Sequence, residues 1–110
     1  MADEVFAAAG AVPWTELGNG NRRRVVVSRP ELMQVEFGFD QGAVGALHSH
    51  PHVQASYVAE GRFEVTIGDA TTVLGQGGSF IVPPNVVHGV KALEAGRLVD
   101  CFTPRRDDFL

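Results

Sequence analysis

Three of the four histidines lie within seven residues, in HSHPHVQ from His48 to Gln54, and the fourth, His88, follows a Pro-Pro pair in VPPNVVHGV. Side chains two apart on an extended strand share a face, about 7 Å apart along the backbone. His48 and His50 are therefore expected to project together, at a spacing from which two imidazoles converge on one ion. Pro51 has no N–H for a ladder, so the strand should end or turn there. Gln54 is expected to open the next strand, beside the first, and His88 to begin another. Neutral imidazole is the commonest metal-binding side chain. His48, His50, Gln54 and His88 thus form a candidate ligand set for one divalent transition metal ion. Nickel, zinc, manganese and iron(II) all accept such nitrogen and oxygen donors. His52 is left open between a ligand and a pocket-wall residue, because the turn at Pro51 can redirect it.

A second group sits in LVDCFTPRRDDF, residues 98–109. Alternation puts Asp100 and Phe102 on one strand face and Cys101 on the other. An aspartate inside an apolar strand is costly to bury unless it is paired or hydrogen-bonded. It is either a functional group in a cleft or a strand-edge residue facing water. After Thr103-Pro104 come Arg105 and Arg106. A guanidinium can grip a carboxylate with two parallel hydrogen bonds; equally, this pair can be a solvated tail beside Asp107 and Asp108.

The elements that must carry these residues read as strands. MQVEFGF places Met33, Val35, Phe37 and Phe39 on one face, and FEVTI does the same with Phe63, Val65 and Ile67. RRVVVS, ASYVAE, TTVL, SFIV and GRLVDCF are further β-prone runs. DQG, EG, GDA, GQGG and PPN punctuate them as turns. Only the first dozen residues hint at a helical period. Eight or nine short strands between Gly-rich turns predict an all-β sandwich or barrel.

The chain has 110 residues, 45% of them hydrophobic, which predicts one domain, residues 1–110, with a core of its own. A net charge of −4 argues against a nucleic-acid partner. RRR at 22–24, the one basic run, reads as a solvated strand end rather than a phosphate patch. The single cysteine, Cys101, cannot form an internal disulfide, in keeping with a reducing, cytoplasmic setting. Asp3 and Glu4 stand where an export signal would carry Lys or Arg, which argues against one. No apolar stretch is long enough to span a bilayer as a helix, so no membrane partner is expected.

GAVGALHSHPHVQASYVAEG, residues 42–61, resembles the first sequence motif of the cupin family, and GGSFIVPPNVVH, residues 77–88, resembles the second. The resemblance implies a double-stranded β-helix, a jelly-roll-type barrel with a metal inside. Three positions depart from the general pattern: Gln54 replaces the usual glutamate, Asn85 a glycine and Ala92 an asparagine. The first departure changes the chemistry. Three neutral imidazoles and a neutral amide leave a bound dication its full charge, which suits an anionic substrate and polarisation of an oxygen rather than oxidation.

WTELG, LMQVE, GAVGALHSHPHVQ, VPPNVVHGVKALE and D-x-F-T-P-x-R-x-D-F-L, spread over residues 13–110, further resemble the KdgF-type cupins of pectin degradation. That likeness implies a non-redox, isomerase-like enzyme. Its substrates would be the 4,5-unsaturated monouronates released by pectin and alginate lyases, and its products linear 4-deoxy-5-keto uronates. It implies His48, His50, Gln54 and His88 as metal ligands, and Asp100, Phe102 and Arg106 as catalytic residues. The spacing of the C-terminal block selects Arg106 over Arg105, which the residues alone leave open. Cupins of this size are often dimers, so a homodimer is expected. The competing readings are a small metal-dependent cupin dioxygenase, against which Gln54 argues, and a non-enzymatic sugar-acid-binding cupin, against which a carboxylate at Asp100 argues.

Overall fold

A computed structural model describes residues 5–110. The alternating runs form ten strands: β1 (Thr15–Gly18), β2 (Asn21–Arg29), β3 (Leu32–Phe39), β4 (Val44–His48), β5 (Val53–Glu60), β6 (Arg62–Ile67), β7 (Ala70–Gly75), β8 (Ser79–Val82), β9 (His88–Ala92) and β10 (Gly96–Thr103). Among the described residues the one helical element is a 3-10 turn, Asp107–Phe109. No described helix is long and apolar enough to cross a membrane.

Every pairing is antiparallel. Six strands make one sheet in the order β1-β2-β3-β10-β5-β8, and four make the other in the order β4-β9-β6-β7. The two form a jelly-roll-like sandwich, the all-β architecture expected. Met33, Val35 and Phe39 of β3 are buried, as are Phe63 and Val65 of β6, so strand parity decides which side chains enter the core. One cluster gathers Phe39, Val58, Phe63, Val65, Ala92 and Leu98, and a second gathers Met33, Val35 and Phe102. Ala92, where the cupin pattern has asparagine, is wholly buried in the first.

Register brings the chemistry together. Across β10 and β5, Asp100 lies opposite Ser56 and Phe102 opposite Gln54; across β4 and β9, His48 lies opposite His88. Asn85 sits at φ 66°, a left-handed conformation that asparagine tolerates better than most residues, so the departure from glycine keeps the turn before β9.

Three expectations need correction. β4 ends at His48, so His50 lies in the β4–β5 connection rather than on the same strand. β5 does not run beside β4; it belongs to the other sheet, because the connection crosses the sandwich. The N-terminal hint of helix is not realised in residues 5–12, which are turn and irregular chain. A stretch this short gains too few hydrogen bonds to offset helix nucleation. Asp3 and Glu4 lie outside the described residues.

Candidate metal centre and cavity

His48 ends β4, His88 opens β9, and the connection returns His50 between them. The ring centroids of His48 and His88 are 4.4 Å apart, those of His50 and His88 4.8 Å, and those of His48 and His50 5.6 Å. One nitrogen from each ring falls within 4.8 Å of the others, so the three form a group able to hold a metal ion. The connection is pinned where Asn85 N–H donates to the His50 carbonyl, at 2.8 Å.

Each ring is oriented through its other nitrogen. Nδ1 of His48 faces Ala46 O at 2.8 Å, Nδ1 of His88 faces Val86 O at 2.9 Å, and Nδ1 of His50 faces His52 O at 3.1 Å. A carbonyl only accepts, so each Nδ1 carries the proton and, in a neutral ring, Nε2 keeps a lone pair. This is the arrangement by which outer hydrogen bonds orient metal-binding histidines. Burial pushes the pKa of His50 and of His88 below the ordinary histidine value, which favours the neutral, ligating form.

Gln54 supplies an oxygen. Its Nε2 donates to Ser56 Oγ at 3.0 Å and to Asp100 Oδ2 at 3.4 Å, which turns Oε1 toward His50 Nε2, 3.0 Å away. Two acceptors thus face each other at contact distance. His88 Nε2 is buried with no hydrogen-bond partner. Unprotonated nitrogens and an amide oxygen, converging without a donor, are a set that a cation satisfies. The residues present therefore fit a divalent metal. His52 stands outside the three-histidine group; its ring centroid is 5.6 Å from that of His50 and 6.5 Å from that of Phe102.

His48, Gln54 and His88 line a cavity of about 310 Å³, a volume that suits a small ligand. Asp100 lines it too and is its sole carboxyl among the described residues. Its side chain is buried and Oδ1 has no partner. Burial pushes the Asp100 carboxyl up to about 7, against the opposing pull of a hydrogen bond with Ser56. Phe102 forms a wall, edge-on to His50 at 5.6 Å and to Phe109 at 5.8 Å. Arg106 lines the cavity and Arg105 does not. Arg106 lies over Phe109 at 4.3 Å and over Phe102 at 5.3 Å. Its Nε and one terminal nitrogen donate to Asp108, at 3.0 and 2.8 Å.

Sequence reasoning missed three contributors. Ser56 steadies both Gln54 and Asp100, and Phe109 braces the aromatic wall. The third is Arg23. The basic run is not a uniform solvated strand end: Arg22 pairs with Asp40 and Arg24 with Glu36, while Arg23 alternates to the other face and lines the cavity. Parity carried the signal, since Arg23 is in step with Val25, which packs against the core.

The family model described as "Cupin domain" matches residues 35–101. The pectin degradation protein KdgF of Dickeya dadantii (strain 3937) is 43% identical over 100 residues, covering 89% of this chain and 91% of that protein. Among solved structures, an RmlC-like cupin from Shewanella frigidimarina NCIMB 400 superposes with a TM-score of 0.94 at 41% identity, covering 97% of this chain and 96% of that one. KdgF from Halomonas sp. superposes with a TM-score of 0.92 at 39% identity, covering 96% and 99%.

Proposed function

The chain belongs to the cupin family, and on that footing we propose that it acts in the breakdown of pectin or alginate, converting 4,5-unsaturated monouronates into linear 4-deoxy-5-keto uronates. The observation that carries this reading is the pairing, in one small cavity, of a neutral metal-ligating set with a single buried carboxyl, Asp100.

His48, His50, His88 and Gln54 would hold one divalent ion. When bound, such an ion supplies Lewis-acid polarisation of a substrate oxygen. The remaining work falls to the chain's own side chains. Asp100 takes the proton of the anomeric hydroxyl. The bond from the anomeric carbon to the ring oxygen breaks, and its electron pair stays on that oxygen. The anomeric carbon becomes an aldehyde and the former ring oxygen becomes the oxygen of an enolate. Delivery of a proton to C4 converts the enolate into the C5 ketone and a CH₂ group. The proton lost from the hydroxyl balances the one gained at C4, so the step needs no oxidant or reductant. General acid–base assistance of this kind is worth about 10²–10⁴-fold.

The neighbours suit these roles. Ser56 and Gln54 hold the Asp100 carboxyl in place. Phe102 presents an apolar wall to a sugar face. Arg106 keeps one terminal nitrogen free of Asp108, with which to orient a sugar oxygen.

The test adds metal-loaded protein to freshly made lyase product and follows both the ultraviolet absorbance of the C4=C5 bond and the sugar's NMR spectrum. The absorbance should decay faster than in buffer alone, with the linear keto acid appearing in step. A rate equal to that in buffer would overturn the proposal. Asp100→Asn should lose about 10²-fold or more in turnover while retaining its metal.

A further inference from the structure

All eight arginines lie within the described residues, and seven of them have a carboxylate partner: Arg22 with Asp40, Arg24 and Arg97 with Glu36, Arg29 with Glu31, Arg62 with Glu94, Arg105 with Asp107 and Arg106 with Asp108. Arg23 has none within ion-pair distance among the described residues; Asp108, already paired with Arg106, acts on it only from farther off. All three arginines of the RRR run are half-buried, and Arg23 is the one that turns inward and lines the cavity of the metal centre. An unpaired charge drawn partly out of water is costly to keep.

We propose that Arg23 binds the carboxylate of the substrate and gives the cavity its preference for sugar acids over neutral sugars. The inference rests on the uronate reading above and names a recognition residue for it.

Three features support the assignment. First, Arg23 is held ready. Its guanidinium lies over the Phe109 ring at 4.0 Å, and Phe109 is braced edge-on by Phe37 and Phe102. A cation held over an aromatic ring is positioned without an acceptor, and no hydrogen-bond acceptor within the described residues takes the N–H donors of Arg23, which leaves them for a carboxylate. Second, its neighbour is already engaged by a carboxylate of the chain itself. Arg106 lies over the same Phe109 ring but spends its Nε and one terminal nitrogen on Asp108. Asp108 already takes one two-pronged edge of Arg106 and balances its charge, whereas no described carboxylate is in ion-pair contact with Arg23. Third, the surroundings strengthen an anion contact. Burial is the largest influence on the Arg23 guanidinium and lowers its pKa, and partial exclusion of water strengthens any ion pair made there.

The test compares wild type, Arg23→Gln and Arg23→Lys, all metal-loaded and at one ionic strength. On the unsaturated uronate, Arg23→Gln should raise KM about tenfold or more with kcat within about threefold. Arg23→Lys, which keeps the charge but loses the fork, should fall between the two. Binding of D-galacturonate and D-galactose, titrated by ligand-observed NMR, provides the second readout. Wild type should prefer the acid, and Arg23→Gln should lose that preference while its affinity for galactose stays put. A purely structural Arg23 would weaken both sugars together and lower kcat with KM; that result, or a KM unchanged within twofold, overturns the proposal. So does a wild type that binds galacturonate no better than galactose. Should Arg23→Gln fail to fold, Arg23→Lys decides by the same two ratios. Should wild type not accelerate loss of the unsaturated uronate, the enzymatic reading falls, and the galacturonate comparison still decides the role of Arg23.

Discussion

Replacing Asp100 by asparagine should change how the stability of the metal-free protein depends on pH. The carboxyl is buried and its pKa is pushed from 3.8 up to about 7, chiefly because burial penalises the charged form. Between those two values the folded chain holds a proton that the unfolded chain has released. Stability from this group is therefore fully present below about pH 4 and is lost as pH rises through about 7. At about 1.4 kcal/mol per pH unit the whole effect is about 4 kcal/mol, of which about 2.5 falls between pH 5 and pH 8. Asparagine has no such proton, so the stability of Asp100→Asn relative to wild type should rise by that amount over this range. Any pH-independent cost of burying the amide shifts all points equally and drops out, as do the histidine contributions common to both chains. Urea unfolding of chelator-treated protein at pH 5, 6, 7 and 8 measures the difference directly. A difference that stays flat within about 1 kcal/mol would mean that the carboxyl is solvated, and the description of Asp100 as a desolvated group would be wrong.

Removing two imidazoles at once, His48→Ala with His88→Ala, should abolish stoichiometric metal binding, read by elemental analysis after loading and desalting; full occupancy would contradict the ligand assignment. Gly61→Ala should destabilise the chain by about 3 kcal/mol, because Gly61 sits at φ 86° and a Cβ there would come within 2.7 Å of the Ala95 carbonyl oxygen; thermal unfolding would show it. Phe63→Ala should cost about 3–5 kcal/mol in urea unfolding, since Phe63 is wholly buried in the larger core cluster. Its metal content after loading should be unchanged, as Phe63 does not line the cavity.

The division between what the residues announced and what folding decided follows from the range of the forces involved. Strand parity is local. It was enough to place Met33, Val35, Phe63 and Val65 inward and to set Asp100 and Phe102 on one face, because side chains alternate whatever the sheet order. The chemistry of imidazole and the clustering in HSHPHVQ were enough to nominate ligands. Parity could not say which strands meet. The pairing of His48 with His88 and of Gln54 with Phe102 depends on register between segments some 40 or more residues apart, and His50 reaches the group through a loop that crosses between sheets rather than by strand alternation. Whether Asp100 was desolvated, and whether Arg23 had a partner, depended on what the other strands and the C-terminal turn brought alongside. Burial and charge pairing are properties of the assembled sandwich, and no single segment encodes them.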